Sequence, residues 1–241
     1  MLVSFDIDDT LYNFKDTFQQ AMDVAFQQLV KKEGRNVTFS TWFKVFQDCN
    51  QRLWPRFEAK EMDIHTFREL RFTETMKKLG YEVKIGEGQL FHDVYVQAFY
   101  QVIKPFPSVK KLLSQLHAKN VELAIISNGP SDTQYEKLRC LGLQNYFLKE
   151  KIFISEEVAS AKPEQAIFLQ CANQRSGEIH TKKYHIGDSW SHDVMGAVRA
   201  GWTAVYFNWK NEQGDRSMVA NERVIEVQEL NSLSKWFRKK G

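Results

Sequence analysis

Apolar residues recur along this chain in two rhythms, and the change between them divides it. Leu2, Val3 and Phe5 form a short apolar run that reads as a buried strand. From there to about residue 103 the period is helical. Phe18, Met22, Ala25 and Leu29 fall on one face of a helix that Gly34 can end. Trp42, Val45, Phe46 and Cys49 mark a second, which Pro55 is expected to interrupt. Asp63 can cap a third helix, carrying Phe67 and Leu70 up to Gly80, and Leu90, Val94 and Ala98 mark a fourth that stops before Pro105 and Pro107.

After Pro107 helices and short apolar strands alternate. Val109, Leu112, Leu113 and Leu116 make a helix face, and the run from Val121 to Ile126 is a buried strand. A helix from Gln134 to Leu141, a strand at Ile152–Ile154 and a helix carrying Ile167, Phe168 and Cys171 follow, with Pro163 as its first residue. Tyr184–Ile186 and Thr203–Phe207 are strands around a helix at Val194–Ala200, and Leu230, Leu233 and Phe237 suggest a last helix. Such alternation means parallel strands joined by crossover helices, an α/β doubly wound parallel sheet. The expected organisation is a core from residues 1–13 and 104–241, with residues 14–103 inserted as an all-helical subdomain.

Composition narrows the partners. The 241 residues are 43% hydrophobic and 26% charged, and the net charge of +3 permits a small anionic substrate. No basic face of the kind a nucleic-acid polymer requires is evident, and Arg238-Lys239-Lys240 reads as a solvated tail. No apolar stretch approaches a membrane span, and the first residues lack a signal-peptide pattern. Cys49, Cys140 and Cys171 are odd in number and widely spaced, which suggests neither disulfides nor a zinc site and leads to the expectation of a cytoplasmic protein without a membrane partner.

In doubly wound sheets ligands bind beyond the carboxyl ends of the strands, so the residues just after each apolar run matter most. The first run delivers Asp6, Asp8 and Asp9, followed by Thr10. Like charges this close ask for a cation or a shared proton, and Mg²⁺, which prefers a few carboxylate oxygens and leaves room for phosphate, is the obvious cation. Helix capping by Asp8 or Asp9, with Asp6 solvated, is the alternative. Val121–Ile126 ends in Ser127-Asn128-Gly129, the third strand leads to Lys162-Pro163, and Tyr184–Ile186 ends in Gly187-Asp188-Ser189 with Asp193 five residues beyond Asp188. Each of these has a bland reading as a turn, a helix entry or a cap. Together they bring a hydroxyl, backbone amides, a cation and two more carboxylates to the sheet end that holds Asp6 and Asp8.

The order Asp6-Ile7-Asp8-Asp9-Thr10, Ser127-Asn128-Gly129, Lys162-Pro163 and Gly187-Asp188-Ser189 with Asp193 resembles the four motifs of the haloacid dehalogenase (HAD) superfamily, and Gly196-Ala197 with Ala200-Gly201 continues the last one. The resemblance implies a Rossmann-like core with residues 14–103 as a helical cap. Phosphatases and phosphomutases of that superfamily carry a second Asp two places after the nucleophile, and Asp8 stands there. An acid is useful to a departing alkoxide and not to a halide, which favours phosphoryl transfer over 2-haloacid dehalogenation.

The resemblance further implies that Asp6 is the nucleophile and Asp8 the acid and base. Asp6, Asp8 (through its backbone carbonyl), Asp188 and Asp193 would hold Mg²⁺. Ser127, Asn128, Gly129 and Lys162 would bind phosphate, with Ser127 and Lys162 counted among the catalytic groups. The stretch Asn50-Gln51-Arg52-Leu53-Trp54, with Arg68 and Phe72, is similar to the cap of noncanonical pyrimidine 5′-nucleotidases, so Trp54, Arg68 and Phe72 are expected to select substrate. The expected activity is a Mg²⁺-dependent phosphomonoesterase acting on a small phosphorylated metabolite, a pyrimidine-type nucleoside 5′-monophosphate. A sugar-phosphate phosphatase is the alternative, with dehalogenase, phosphomutase and inactive scaffold behind it.

Overall fold

The structure, a computed structural model, describes residues 1–173, 182–213 and 223–240. The chain forms two compact units, Met1–Phe14 with Ile103–Gly241, and Lys15–Val102.

The first unit is α/β. Strands β1 (Leu2–Phe5), β2 (Glu122–Ser127), β3 (Ile152–Ile154), β4 (Lys183–Gly187), β5 (Thr203–Phe207) and β6 (Val224–Val227) form one parallel sheet in the order β3-β2-β1-β4-β5-β6. The order reverses at β1, which pairs with β2 on one side and β4 on the other. The crevice of a doubly wound sheet opens at such a reversal, outside the strands' carboxyl ends. Register aligns the three ends: Phe5 lies opposite both Ile125 and Ile186, and the Asp6 amide donates to the Ile186 carbonyl at 2.9 Å. All four β1 residues are buried, as a central strand covered on both faces requires.

Helices α5 (Val109–His117), α6 (Ser131–Cys140), α7 (Ser155–Val158), α8 (Gln165–Asn173), α9 (Met195–Arg199) and α10 (Leu230–Lys240) cover the sheet. The α5 face of Val109, Leu112, Leu113 and Leu116 is buried as its spacing predicts. A core cluster joins Leu2, Ala124 and Ile126 of the strands to Ile167 and Phe168 of α8, Ala197 of α9 and the following Trp202. Gly196 permits the close approach of α9, because a Cβ there would run into the Phe168 ring and the Pro163 backbone. Truncating Phe168 to Ala at this contact would cost about 3–5 kcal/mol.

The second unit packs α1 (Phe14–Phe26, whose first residue belongs to the α/β unit), α2 (Phe39–Glu58), α3 (Ile64–Lys78) and α4 (Glu87–Val102) around Met22, Phe26, Trp42, Phe46, Phe72, Met76 and Phe91. Within the α/β unit, the chain's exit and return are stapled together: Tyr12 forms an antiparallel bridge with Pro105, and the Phe106 amide donates to the Leu11 carbonyl at 2.9 Å.

Four sequence expectations are corrected here. Pro55 does not interrupt α2. The hydrogen bond that proline cannot make is lost only in the last turn, where the Trp54 and Phe57 rings pack on Phe67 of α3 with centroids 5.7 and 5.2 Å away. Pro163 precedes α8 instead of opening it and lies in a turn after a cis peptide. The helix near Val194 begins earlier, as a π-helical turn over Trp190–Val194. Strand β6 is additional, its side chains only partly buried because it lies at the sheet edge.

Phe72 is also corrected. It is buried in the helical unit and stacks on Phe91 with centroids 4.7 Å apart, so its ring serves packing and is not offered to a ligand. Trp54 is 45% exposed, and Arg68 is partly buried on α3. The three cysteines are free, and no described helix is long and apolar enough to cross a membrane. The backbone of Arg238-Lys239-Lys240 continues α10.

A buried histidine makes the helical unit acid-sensitive. His92 of α4 accepts at Nδ1 a hydrogen bond from Nη2 of Arg71, 2.9 Å away, which fixes the neutral tautomer with its proton on Nε2. Burial, and then the Arg71 charge beside it, push its pKa down to about 3. Between that value and the ordinary 6.5 the unfolded chain binds a proton that the native state does not. This contribution to stability is therefore complete above about pH 6.5 and declines as pH falls towards 3. His92→Gln keeps an acceptor for Arg71 without the titration, and should narrow the difference in melting temperature between pH 7.5 and pH 5 by a few degrees. Parallel thermal scans of both proteins test this; equal pH dependence would refute it.

Candidate catalytic site

Asp6 follows β1 directly and is 7% exposed. Its Oδ1 meets the Lys162 ammonium at 2.5 Å, and the same Nζ lies 2.6 Å from Oδ1 of Asp193. Lys162 is itself held in place by Asn128, whose side chain accepts from the Lys162 amide at 2.9 Å and donates to its carbonyl at 3.0 Å. The second and third motifs are thus locked to one another. This bidentate clamp is the role the structure gives the Asn128 side chain.

Asp193 reaches the cluster from the π-helical turn after β4. Its Oδ2 accepts from the Ser189 amide at 2.9 Å, and its Oδ1 also faces Nε2 of the buried His185 at 3.1 Å. The Ser4 hydroxyl, 2.8 Å from His185 Nδ1, completes a relay beneath the site from β1 to β4. Gly187 makes the turn possible, since a Cβ there would collide with the Asp193 carboxyl. Burial alone would raise the pKa of Asp193, but Lys162 and His185 hold it well below the usual carboxylate range. Asp6 is shifted upward, first by burial and then by the neighbouring charges of Asp193 and Asp8, against the pull of Lys162. Burial also pushes Asp188 up to about 6, despite the ammonium of Lys210.

Lys210, in the segment after β5, bridges Oδ2 of Asp188 at 2.9 Å and Oδ2 of Asp9 at 2.8 Å. Asp9 is the hinge of the acidic turn, with φ of 57°. Its Oδ1 accepts from the Phe14 amide at 2.9 Å, and its carbonyl accepts from Nε1 of Trp209 at 2.8 Å. The left-handed conformation is one that Asp tolerates better than bulky residues. It lets the chain double back without carrying Asp8 away from the sheet end.

The Asp8 carboxylate is turned towards α6. Lys137 Nζ lies 2.8 Å from both of its oxygens, the Tyr12 hydroxyl donates to Oδ1, and Gln134 Nε2 approaches Oδ2 at 3.3 Å. Burial opposes ionisation, yet Lys137, Tyr12 and Gln134 together bring its pKa below the ordinary value. The Ser127 hydroxyl is buried at the end of β2 and is 3.1 Å from the same Gln134 nitrogen. The Gly129 amide, expected to meet phosphate, instead donates to Ser155 Oγ at 3.1 Å, on the chain directly following β3.

Asp6, Asp8, Ser127, Asn128, Lys162, Asp188 and Asp193 therefore gather at one end of the sheet, as their order along the chain predicts. Tyr12, Gln134, Lys137, His185 and Lys210 join them without having been singled out. Gln134 and Lys137 are three apart on one face of a helix directly after Ser127-Asn128-Gly129, and only their burial separates them from ordinary solvated positions.

Whether a divalent ion suits these residues follows from their oxygens and charge. Carboxylate oxygens of Asp6, Asp188 and Asp193 lie within 4.8 Å of one another, an all-oxygen set of the kind Mg²⁺ prefers. Asp6, Asp8, Asp9, Asp188 and Asp193 are opposed by the ammonium groups of Lys137, Lys162 and Lys210, which leaves two negative charges uncompensated within this set. One dication balances them, so the residues fit Mg²⁺.

Comparison with known proteins agrees with this geometry. The family described as haloacid dehalogenase-like hydrolase matches residues 37–207. The pyrimidine 5′-nucleotidase YjjG of Escherichia coli is 26% identical over 232 residues, covering 96% of each chain. The glyceraldehyde 3-phosphate phosphatase of Methanothermobacter thermautotrophicus is 27% identical over 233 residues, again covering 96% of each. Among solved structures, the magnesium-bound HAD-hydrolase YfnB of Bacillus subtilis superposes with a TM-score of 0.72 at 26% identity, covering 98% of this chain and 97% of that one. A signature across most of the chain, and relatives that align along nearly all of it, leave one conclusion: the chain belongs to the haloacid dehalogenase-like hydrolases.

Proposed function

We propose that this hydrolase is a Mg²⁺-dependent phosphomonoesterase that takes the phosphoryl group of a small metabolite onto Asp6, and that its substrates are pyrimidine-type nucleoside 5′-monophosphates. The observation carrying the reaction class is the juxtaposition of Asp6, held 2.5 Å from Lys162, with a second aspartate, Asp8, two residues further on and joined to Ser127 through the Gln134 amide nitrogen. An Asp6 oxygen attacks phosphorus and the ester P–O bond breaks. Asp8, which the anionic phosphate seated beside it favours in the protonated form, gives its proton to the departing oxygen. Water then attacks the aspartyl-phosphate and returns a proton to Asp8, and free phosphate leaves with Asp6 restored.

Lys162 draws the anionic phosphate to Asp6 and offsets the repulsion between the Asp6 and Asp193 carboxylates. Ser127 offers its hydroxyl to a non-bridging oxygen, with the Asn128 amide beside it; engagement of the Gly129 amide by Ser155 leaves that group a smaller part. Carboxylates of Asp6, Asp188 and Asp193, with the Asp8 carbonyl, would hold Mg²⁺, which when bound offsets the charge of the phosphate. His185 and Lys210 fix the orientation of Asp193 and Asp188 for that purpose.

Likeness to a pyrimidine 5′-nucleotidase and the partly exposed Trp54 support the nucleotide reading. In it, residues 14–103 act as a cap in which Trp54 stacks on the base and Arg68 meets the sugar or phosphate. A sugar-phosphate phosphatase is the second reading, favoured by an equally extensive likeness to a glyceraldehyde 3-phosphate phosphatase.

Three outcomes are expected. Asp6→Asn abolishes phosphate release while circular dichroism shows an intact fold, and near-wild-type turnover in a pure preparation would sink the nucleophile assignment. Chelation silences the enzyme and Mg²⁺ restores it and raises the melting temperature; Asp188→Ala increases the Mg²⁺ needed for both effects by roughly tenfold or more, and activity that survives exhaustive chelation would refute the metal site. In a panel of UMP, dUMP, dTMP, purine nucleotides and sugar phosphates, pyrimidine monophosphates show the highest kcat/KM. Trp54→Ala raises KM for them by the roughly 1–3 kcal/mol of a lost stacking contact while sparing an aryl phosphate. Preference for sugar phosphates would replace the first reading with the second.

A further inference from the structure

Lys137 is a helical lysine buried to 6% exposure, and Gln134 on the same face is buried to 1%. Neither position is a comfortable one for a polar side chain unless it has a fixed partner. Both are turned to the same place. Lys137 divides its ammonium equally between the two Asp8 oxygens at 2.8 Å, with the Phe14 ring 5.6 Å away on another side. Gln134 spreads one amide nitrogen over Asp8 Oδ2 at 3.3 Å, Ser127 Oγ at 3.1 Å and the Asn128 carbonyl at 2.8 Å. Gly129 leaves room for that amide, because a Cβ there would stand only 2.9 Å from its nitrogen. Tyr12 closes the remaining side of Asp8 through Oδ1.

We propose that Gln134 and Lys137 are positioning residues for proton transfer. They hold the Asp8 carboxyl at a set distance and orientation from the hydroxyl that grips the phosphate, so that one Asp8 oxygen faces the ester oxygen as the P–O bond breaks. A carboxylate on a turn rotates freely about two side-chain bonds, and a misplacement of about 1 Å costs on the order of 100-fold in rate. Lys137 and Tyr12 fix the plane of the carboxyl, and Gln134 ties that plane to Ser127. The inference deepens the phosphomonoesterase reading and rests on Asp8 as the proton donor in it.

The consequence depends on the leaving group. An alkoxide, as from a nucleoside or sugar phosphate, must gain a proton as it departs, whereas 4-nitrophenolate departs well without one. Lys137→Met is expected to lower kcat/KM, which reports the step that expels the leaving group and not the later hydrolysis common to all esters, by about 100-fold for an alkyl phosphate, the scale of general acid catalysis. On 4-nitrophenyl phosphate the same variant should lose about tenfold less than on the alkyl ester. Lys137→Arg should recover part of the alkyl activity. Gln134→Glu, which matches the shape but sets an anion against Asp8, should show the same bias against the alkyl ester.

Fluorine NMR of the fluoroberyllate adduct on Asp6, formed with Mg²⁺, separates positioning from collapse of the site. The adduct should form in all three variants as in the wild type. Equal losses on the two esters, no loss on either, or failure of the adduct to form would overturn the proposal. A wild-type protein that forms the adduct yet hydrolyses neither ester would overturn the phosphomonoesterase reading itself.

Discussion

Five aspartates brought to one end of a sheet is the constraint from which the local structure follows. Carboxylates this close and this buried cannot all ionise unless positive charge is interleaved among them. Three lysines from three different segments do this: Lys137 from α6, Lys162 from the turn before α8, and Lys210 from beyond β5. Each neutralises a different aspartate or pair, so no single contact carries the balance. The residual deficit of two charges is the electrostatic basis for expecting a dication, and the unequal share of positive charge is why Asp6 and Asp193 shift in opposite directions. Asp193, with Lys162 and His185 against it, is held strongly acidic, whereas Asp6, sharing the same lysine but crowded by Asp193 and Asp8, is not.

The backbone accommodates this crowding at two turns. At Asp9 the left-handed conformation reverses the chain three residues after Asp6, and the turn is pinned by Trp209 and Lys210 from the segment after β5. At Gly187 the missing side chain leaves the space that the Asp193 carboxyl occupies. One turn supplies curvature and the other volume. The strands that lead into both turns have their register fixed by burial on each face, so the position of Asp6 is inherited from sheet pairing while the turns place the other acids around it.

Much of this was legible in the sequence because the chemistry sits directly at the ends of apolar runs. Asp6 after Phe5, Ser127 after Ile126 and Asp188 two residues after Ile186 needed only the strand assignment and the rule that parallel sheets bind ligands at their carboxyl ends. Residues whose roles depend on side-chain reach across the fold were not legible. Lys210 lies far along the chain from Asp9, His185 is hidden within a strand, and Lys137 looks like any lysine on a helix of mixed polarity until its burial is known. Phe72 misled for the converse reason: an aromatic at helical spacing is the same signal whether it faces a ligand or a packed neighbour, and here it faces Phe91. Pro55 misled because its structural cost depends on how near the helix end it stands and on what packs against that end.

The bridge between Tyr12 and Pro105 has an evolutionary consequence. The two ends of the inserted helical unit leave and rejoin the α/β unit side by side, as the strands of a hairpin do, and the pairing that holds them together is made by residues of the α/β unit alone. An insertion anchored this way behaves as a socket. Whatever is plugged into it, long or short, begins and ends at neighbouring points and leaves the sheet register untouched, so the chemistry at the strand ends can be kept while the insert diverges.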